Sequence, residues 1–276
     1  ACDRLLYGEV NPSGRLAESF PLRLEDNPSY LSFGGDGKKV CYTEGIYVGY
    51  RYYEAKKLPV RWAFGHGLSY TEFEYSNLKV SSDTMNDESE ILLEADITNI
   101  GKIEGKEIVQ LYIADKNGTV NRPVKELKGF KKISLMPGET KKVRLKINAR
   151  DLSFYNEEMK DWYAPSGIYE VLIGHASNDI RLSREIRFAT KKMPPLQVTG
   201  ATTVGELLAD SRTAAMIMQM LAPIQQGAVV SEADDGSDTQ MMQALLDGLP
   251  LKSLAVLGVT GEMIEEMIIQ LNQVCK

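Results

Sequence analysis

Residues 93–98 read LEADIT, and every second residue is apolar. An extended chain points successive side chains to opposite faces, so this alternation buries one face and wets the other. The same period returns at 109–113, VQLYI, where Val109, Leu111 and Ile113 alternate with Gln110 and Tyr112, and again at 143–147, VRLKI. Tyr169, Val171 and Ile173 continue it, followed by Ile180 and Leu182. Turn-forming clusters separate these runs: Asn99-Ile100-Gly101, Lys116-Asn117-Gly118, Pro137-Gly138 and Pro165-Ser166-Gly167. Glycine there permits left-handed backbone and proline pre-sets φ, so each cluster can reverse the chain.

Residues 73–190 thus carry about seven short strands at the spacing of an antiparallel immunoglobulin-like β-sandwich. The Cys-Trp-Cys spacing of an antibody domain is missing.

The flanks differ. Residues 1–72 are loop-rich, with Pro12, Gly14, Pro21, Pro28 and the run Gly34-Gly35-Asp36-Gly37. Too few periodic elements occur there to build a core, so this stretch reads as the edge of a larger domain. Residues 191–276 switch to helical period after Pro194-Pro195. Thr203 and Glu206 fit a capping box, which satisfies free backbone donors at a helix start. Val204, Leu207, Leu208, Ala215, Met218 and Leu221 then share one face of a helix that Pro223 and Gly227 should end. Residues 231–238 read as an acidic loop, and Gln240–Asp247 as a short helix closed by Gly248. Pro250 suits the first turn of another helix. Thr260 can cap a last one, with Ile264, Met267, Ile268 and Leu271 on its apolar face. The three regions are therefore 1–72, 73–190 and 191–276.

The 276 residues fit about two domains. A net charge of −6 disfavours nucleic acid as a partner. No apolar run reaches the ~20 residues of a membrane span, so no membrane partner is expected. No signal peptide is visible, and the absence of an initiator methionine reads as a start within a longer protein. Cys2, Cys41 and Cys275 are few, scattered and odd in number, which argues against a disulfide framework and favours the cytoplasm.

Chemical motifs are sparse. Two histidines, His66 and His175, have no carboxylates at ligand spacing, so no metal site is expected. The stretch FGGDGKK is neither a dinucleotide fingerprint nor a P-loop, so no cofactor is expected. His66 lies between two glycines in PVRWAFGHGLSYTEFEY, residues 59–75. A general base needs an orienting partner and a pocket. The local text offers packing residues instead: Trp62, Phe64, Leu68, Tyr70 and Phe73. Trp62, His66 and Tyr70 therefore read as a structural junction. Trp162 and Tyr163, between Asp161 and Pro165, are candidates to stack on sugar rings or to pack at a strand edge.

Several stretches carry a family resemblance. LLYGEVNPSGRLAESFP resembles the end of the α/β-sandwich domain of glycoside hydrolase family 3, the β-glucosidase and β-xylosidase family. EGIYVGYRYYEAKKLPVRWAFGHGLSYTEFEYS is similar to that family's linker into its fibronectin type III-like domain. EIVQLYIAD, RPVKELKGFKKISLMPGET and DLSFYNEEMKDWYAPSGIYEVLIGHASNDIRL resemble that domain itself. The likeness runs in order from residue 1 to about 190, and the remainder resembles a helical tail of some bacterial members more loosely.

The resemblance implies a mainly β chain, with a remnant of an α/β sandwich before the fibronectin-like sandwich and a small helical tail after it. It implies a parent that cleaves terminal β-linked glucose, or a related sugar, with retention. Retaining hydrolysis uses two carboxyl groups about 5–5.5 Å apart. The family's nucleophilic aspartate lies on an N-terminal barrel near a Ser-Asp-Trp motif, which this chain lacks. Its acid/base glutamate lies upstream of NPSG. Glu9, Glu18 and Glu44 match neither position, so no catalytic residue is assigned. The expected role is an inactive scaffold for the parent's barrel and sandwich domains, with self-association as a further possibility. The alternative is a carbohydrate-binding or adhesion module.

Overall fold

The computed structural model describes residues 2–118, 120–227 and 248–275. The acidic loop and short helix expected over 231–247 lie outside the described residues. The chain divides into two compact units, Ala1–Lys192 and Met193–Lys276.

The first unit is mainly β. Its strands are β1 (Phe20–Pro21), β2 (Val60–Trp62), β3 (Phe73–Val80), β4 (Thr84–Asn86), β5 (Glu90–Asn99) and β6 (Gly105–Asp115). They continue with β7 (Glu126–Leu135), β8 (Thr140–Asn148), β9 (Phe154–Asn156), β10 (Asp161–Tyr163), β11 (Gly167–Ala176) and β12 (Asp179–Ala189). A five-stranded sheet has the order β4-β12-β11-β6-β7, and a three-stranded sheet the order β3-β5-β8. Pairing is antiparallel except between β12 and β4.

The alternating residues build one core from both sheets. Leu93 and Ile97 of β5 and Val143 and Ile147 of β8 join Val109, Leu111 and Ile113 of β6 and Tyr169, Val171 and Ile173 of β11. Register supports this face: Ile91 opposes Ile147 and Ala95 opposes Val143. Val171 opposes Ile113 and Ile173 opposes Leu111. A one-residue slip would turn these side chains to water, so the core fixes the register.

Strand β6 departs from simple alternation. Gln110, Tyr112 and Ala114, on its other face, are buried as well. The chain that precedes the sheets covers them. Helix α1 (Cys2–Leu6) buries nothing, whereas α2 (Tyr50–Ala55) places Tyr50 against Tyr112, Ala114 and Leu172. Residues 1–72 thus attach to the outer face of the larger sheet. A short helix α3 (Ala149–Leu152), unforeseen in the sequence, follows β8 and is opened by a capping box between Asn148 and Asp151.

The second unit has its own core of Val198, Leu207, Ile217, Leu221, Leu254, Ile264 and Leu271, among others. The Thr203–Glu206 capping box opens helix α4 (Val204–Ala209). The single helix expected here is broken. Asp210 accepts hydrogen bonds from the Arg212 backbone and guanidinium, and the Thr213 hydroxyl donates to Leu207 O at 2.5 Å. This turn resets the helical phase of α5 (Ala214–Gly227), so Ile217 is buried and Met218 is 60% exposed. The backbone of α5 also continues past Pro223, which forfeits one intrahelical bond rather than ending the helix. Pro250 precedes a 3₁₀ turn, Leu251–Leu257, rather than starting an α-helix. Thr260 caps α6 (Gly261–Val274) through the Met263 N–H.

Candidate functional site

Strand β6 carries a charge on its core-facing side. Glu107 is in phase with Val109 and Leu111 and has no exposed surface. Arg15, from the preceding segment, reaches it: Nη2 donates to Glu107 Oε1 at 2.6 Å. The Arg15 side chain is only 8% exposed, so both charges are withdrawn from water. Burial on this scale is costly unless the remaining polar atoms are matched. The Ile108 N–H also donates to Glu107 Oε1 at 2.8 Å, and Arg15 Nη1 donates to Gly67 O at 3.0 Å. Arg15 Nη1 also lies 2.6 Å from His175 Nε2. Arg15 Nη2 lies 3.1 Å from His175 Nδ1, which is itself 3.2 Å from Glu107 Oε2, while Arg15 Nε and Glu107 Oε2 are buried without a hydrogen-bond partner among the described residues. Tyr75, buried on β3, holds its phenol proton well above the ordinary range because of burial and the adjacent Glu107 charge.

Around this pair the His66 loop is sewn to the N-terminal segment. The Leu16 N–H donates to His66 O and the Gly65 N–H to Leu16 O, each at 2.8 Å. Gln110 bridges the sheet to the same loop, donating to His175 O at 2.6 Å and Gly65 O at 3.3 Å while accepting from Tyr112 Oη at 2.6 Å. Gly65 has φ of 82°, and a Cβ there would overlap the Gln110 amide. A Cβ at Gly67 would overlap Gly14 O. The two glycines therefore allow close chain approach, and the loop they frame is fixed at both ends. His66 is held below the ordinary histidine range by burial first, then by His175 and Arg15. Among the described residues, no carboxylate is hydrogen-bonded to its ring.

A second anchor lies at α2. Tyr50 Oη accepts from the Leu127 N–H at 2.8 Å, Lys125 pairs with Glu54 at 2.5 Å, and Tyr47 bonds Asn121. A cleft of about 320 Å³ is lined by Ser19, Tyr53, Glu54, Val60 and Ser177, among others. Among the described residues, no group of three or more His, Cys, Asp or Glu could hold a metal ion.

The sequence candidates fall as follows. Trp62, His66 and Tyr70 each meet the N-terminal segment. Trp62 packs edge-on against Phe20 at 5.7 Å and stays 44% exposed. Tyr70 Oη donates to Leu5 O at 2.5 Å. Trp162 is 39% exposed, with the Arg150 guanidinium over its ring and Tyr155 edge-on at 5.6 Å. Tyr163 packs edge-on against Phe154 at 5.9 Å. Glu9 pairs with Arg4 on the surface, Glu18 is exposed, and Glu44 is half-buried in a loop. The sequence reading missed Arg15, Glu107, Gln110 and His175. One signal was available: Glu107 occupies an apolar position of the β6 alternation.

Two family models match the chain. Residues 1–50 match the glycosyl hydrolase family 3 C-terminal domain, and residues 107–177 match a fibronectin type III-like domain. The chain is 42% identical over 273 residues to thermostable beta-glucosidase B of Acetivibrio thermocellus, covering 98% of this chain and 36% of that protein. A Bacteroides ovatus beta-glucosidase, BoGH3A, is 44% identical over 64% of this chain and 24% of its own length. Among solved structures, a Bifidobacterium adolescentis GH3 beta-glucosidase superimposes with a TM-score of 0.70 at 32% identity, over 78% of this chain and 31% of that one. The Kluyveromyces marxianus beta-glucosidase in complex with glucose gives 0.62 at 43%, over 67% and 22%. The chain therefore spans about a quarter to a third of these relatives' lengths. With a family-3 domain end in its first 50 residues, a fibronectin-like domain behind it and relatives of this kind along its length, the chain belongs to glycoside hydrolase family 3, as a C-terminal portion.

Proposed function

We propose that this chain is the accessory, scaffolding portion of a family 3 β-glucosidase, without the catalytic carboxylates itself. The parent would hydrolyse terminal β-D-glucosides or related sugars with retention and no cofactor, in the cytoplasm. In this reading residues 1–72 are the end of an α/β-sandwich domain and its linker. Residues 73–190 are an immunoglobulin-like fibronectin type III sandwich, and 191–276 a helical subdomain. The partners are the parent's barrel and sandwich domains, with self-association as a second route.

One observation carries the scaffold role. The most deeply buried ion pair, Arg15–Glu107, ties the segment before the sheets to strand β6, and its guanidinium also meets Gly67 O and the His175 ring. Such a group joins segments rather than receiving a substrate. The test is direct. The purified chain, assayed with aryl β-glucoside and β-xyloside, should turn over neither. Turnover above a denatured control sinks the proposal.

The carbohydrate-binding reading has one feature in its favour: Trp162 and Tyr155 are 39% and 49% exposed as neighbours. Against it, Arg150 occupies a ring face that a sugar would need. Affinity electrophoresis in soluble β-glucan separates the two. Retardation that disappears in Trp162→Ala would favour the binding module.

A further inference from the structure

The chain has two histidines, and both lie beside the buried Arg15. Histidine is the side chain whose ordinary titration falls between pH 5 and 8, so the response to mild acid is concentrated in this one cluster. His66 stands in the loop before β3, where its backbone oxygen accepts from the Leu16 N–H. His175 comes from β11, Glu107 from β6 and Tyr75 from β3, while Arg15 enters from the segment before the sheets. From β12 comes Arg181, whose charge is answered by Asp179 at 2.6 Å. At neutral pH one buried cation, Arg15, therefore faces one buried anion, Glu107. Each histidine that takes a proton adds a positive charge and no anion. The members are not equally fixed. Strands β6 and β11 are paired, with Ile173 opposite Leu111 and Gly174 opposite Gln110, so Glu107 and His175 stay together. Arg15 is held from outside the sheet and is the member that can leave.

We propose that His175 is an acid-operated competitor for Glu107: its imidazolium takes over the carboxylate, and Arg15 leaves together with the segment that carries it. The geometry is already in place. His175 Nδ1 is 3.2 Å from Glu107 Oε2, the carboxylate oxygen that has no hydrogen-bond partner among the described residues. The His175 side chain is 22% exposed, so a proton reaches it without opening the sandwich. While Arg15 is docked, an imidazolium would sit against a guanidinium, with only 2.6 Å between Nε2 and Nη1. With Arg15 gone it faces Glu107 alone. The undocked arrangement therefore binds more protons, and acid favours it. The proposal adds regulation to the joining role given above and rests on it. Turnover of β-glucosides by the chain would sink that role and leave the exchange rates below unaffected.

Hydrogen–deuterium exchange of the 276-residue chain, read by mass spectrometry, reports the docking through the Leu16 amide, which donates to His66 O. Corrected for intrinsic rates, protection of the peptide holding Leu16 should fall about tenfold between pH 7.5 and 5.5, since each linked proton shifts an equilibrium by roughly that factor per pH unit below about 6.5. Peptides of β11 should keep their protection. His175→Gln, which cannot take the proton, should remove most of the fall. His175→Lys carries a permanent cation to Glu107 and should show at pH 7.5 the exchange that the wild type shows at 5.5. The wild-type chain decides even if a variant fails to fold: protection of the Leu16 peptide that is flat with pH, or that falls together with that of β11, overturns the proposal. So does a fall that His175→Gln leaves intact, and one that His66→Gln alone removes would place the response on the other histidine.

Discussion

Glu107→Gln isolates the charge at the centre of the junction. The substitution keeps the shape of the side chain and an acceptor for the Ile108 N–H. It removes the counter-ion of Arg15, whose side chain is 8% exposed. Breaking one half of a buried pair costs about 3–5 kcal/mol, because the other charge is left uncompensated. Here the cost has a ceiling. The segment bearing Arg15 can undock and return the guanidinium to water, so the loss cannot exceed the docking energy of that segment. A loss of about 3 kcal/mol is therefore expected, at the lower end of that range. Both tryptophans, Trp62 and Trp162, lie in the first unit, so their fluorescence in a urea titration reports that unit alone. The double variant Arg15→Met/Glu107→Leu removes both charges and should recover at least half of the loss, since an apolar pair carries no desolvation penalty. A Glu107→Gln cost under about 1 kcal/mol, the range of exposed pairs, would refute the assignment of Arg15–Glu107 as a buried clamp.

His66 gives a pH signature. Its folded pKa lies below 6.5, chiefly through burial, so folded and unfolded states are both neutral well above that value. As pH falls below 6.5 the unfolded chain takes up the proton first, so stability declines from there down to the folded pKa. Between pH 7.5 and 5.5 the urea midpoint should therefore fall less in His66→Gln than in the wild type, and identical falls would contradict this. A chain ending at Lys192 should keep the two sheets folded, as measured by cooperative urea unfolding, because the first compact unit ends there. Insolubility or non-cooperative melting would show that the helices complete its core. Thr203→Ala removes the hydroxyl that accepts from the Glu206 N–H at 3.2 Å. It should cost the second unit about 1 kcal/mol by circular dichroism melting, and leave tryptophan-detected unfolding unchanged.

What could be read from the sequence followed the range of the forces involved. Strand periodicity is local, so Leu93-Ala95-Ile97 and Tyr169-Val171-Ile173 showed their buried faces directly. The Thr203–Glu206 cap spans three residues and was equally plain. Failures came where a distant segment overrode the local pattern. In β6 the supposedly wet face, Gln110-Tyr112-Ala114, is covered by Tyr50, sixty or so residues earlier. The helical phase of 204–227 was lost because Thr213 bonds back to Leu207 O and breaks the helix, which no period count registers. Trp62 packs on Phe20, a contact 42 residues back in the chain that no local pattern shows, and it remains 44% exposed.

The candidate site was the least legible, and Glu107 shows why. Its place in the β6 alternation, two residues before Val109, marks a carboxylate pointing into an apolar face. Burial without a partner would be prohibitive, so the sequence already demands a cation nearby. It does not say which of the 32 lysines and arginines supplies it. Arg15 is 92 positions away and its identity depends on how the loop-rich segment crosses the sheet. That crossing depends in turn on Gly65 and Gly67, where the backbones approach too closely for any side chain. The pair of glycines around His66 is thus explained by the clamp: they bring Gly14-Arg15-Leu16 within backbone hydrogen-bonding distance, and the guanidinium then falls on Glu107. A mobile catalytic loop would need the same glycines for the opposite reason. The two cases are separated by the bonds that Leu16 makes to Gly65 and His66, which a moving loop would have to break.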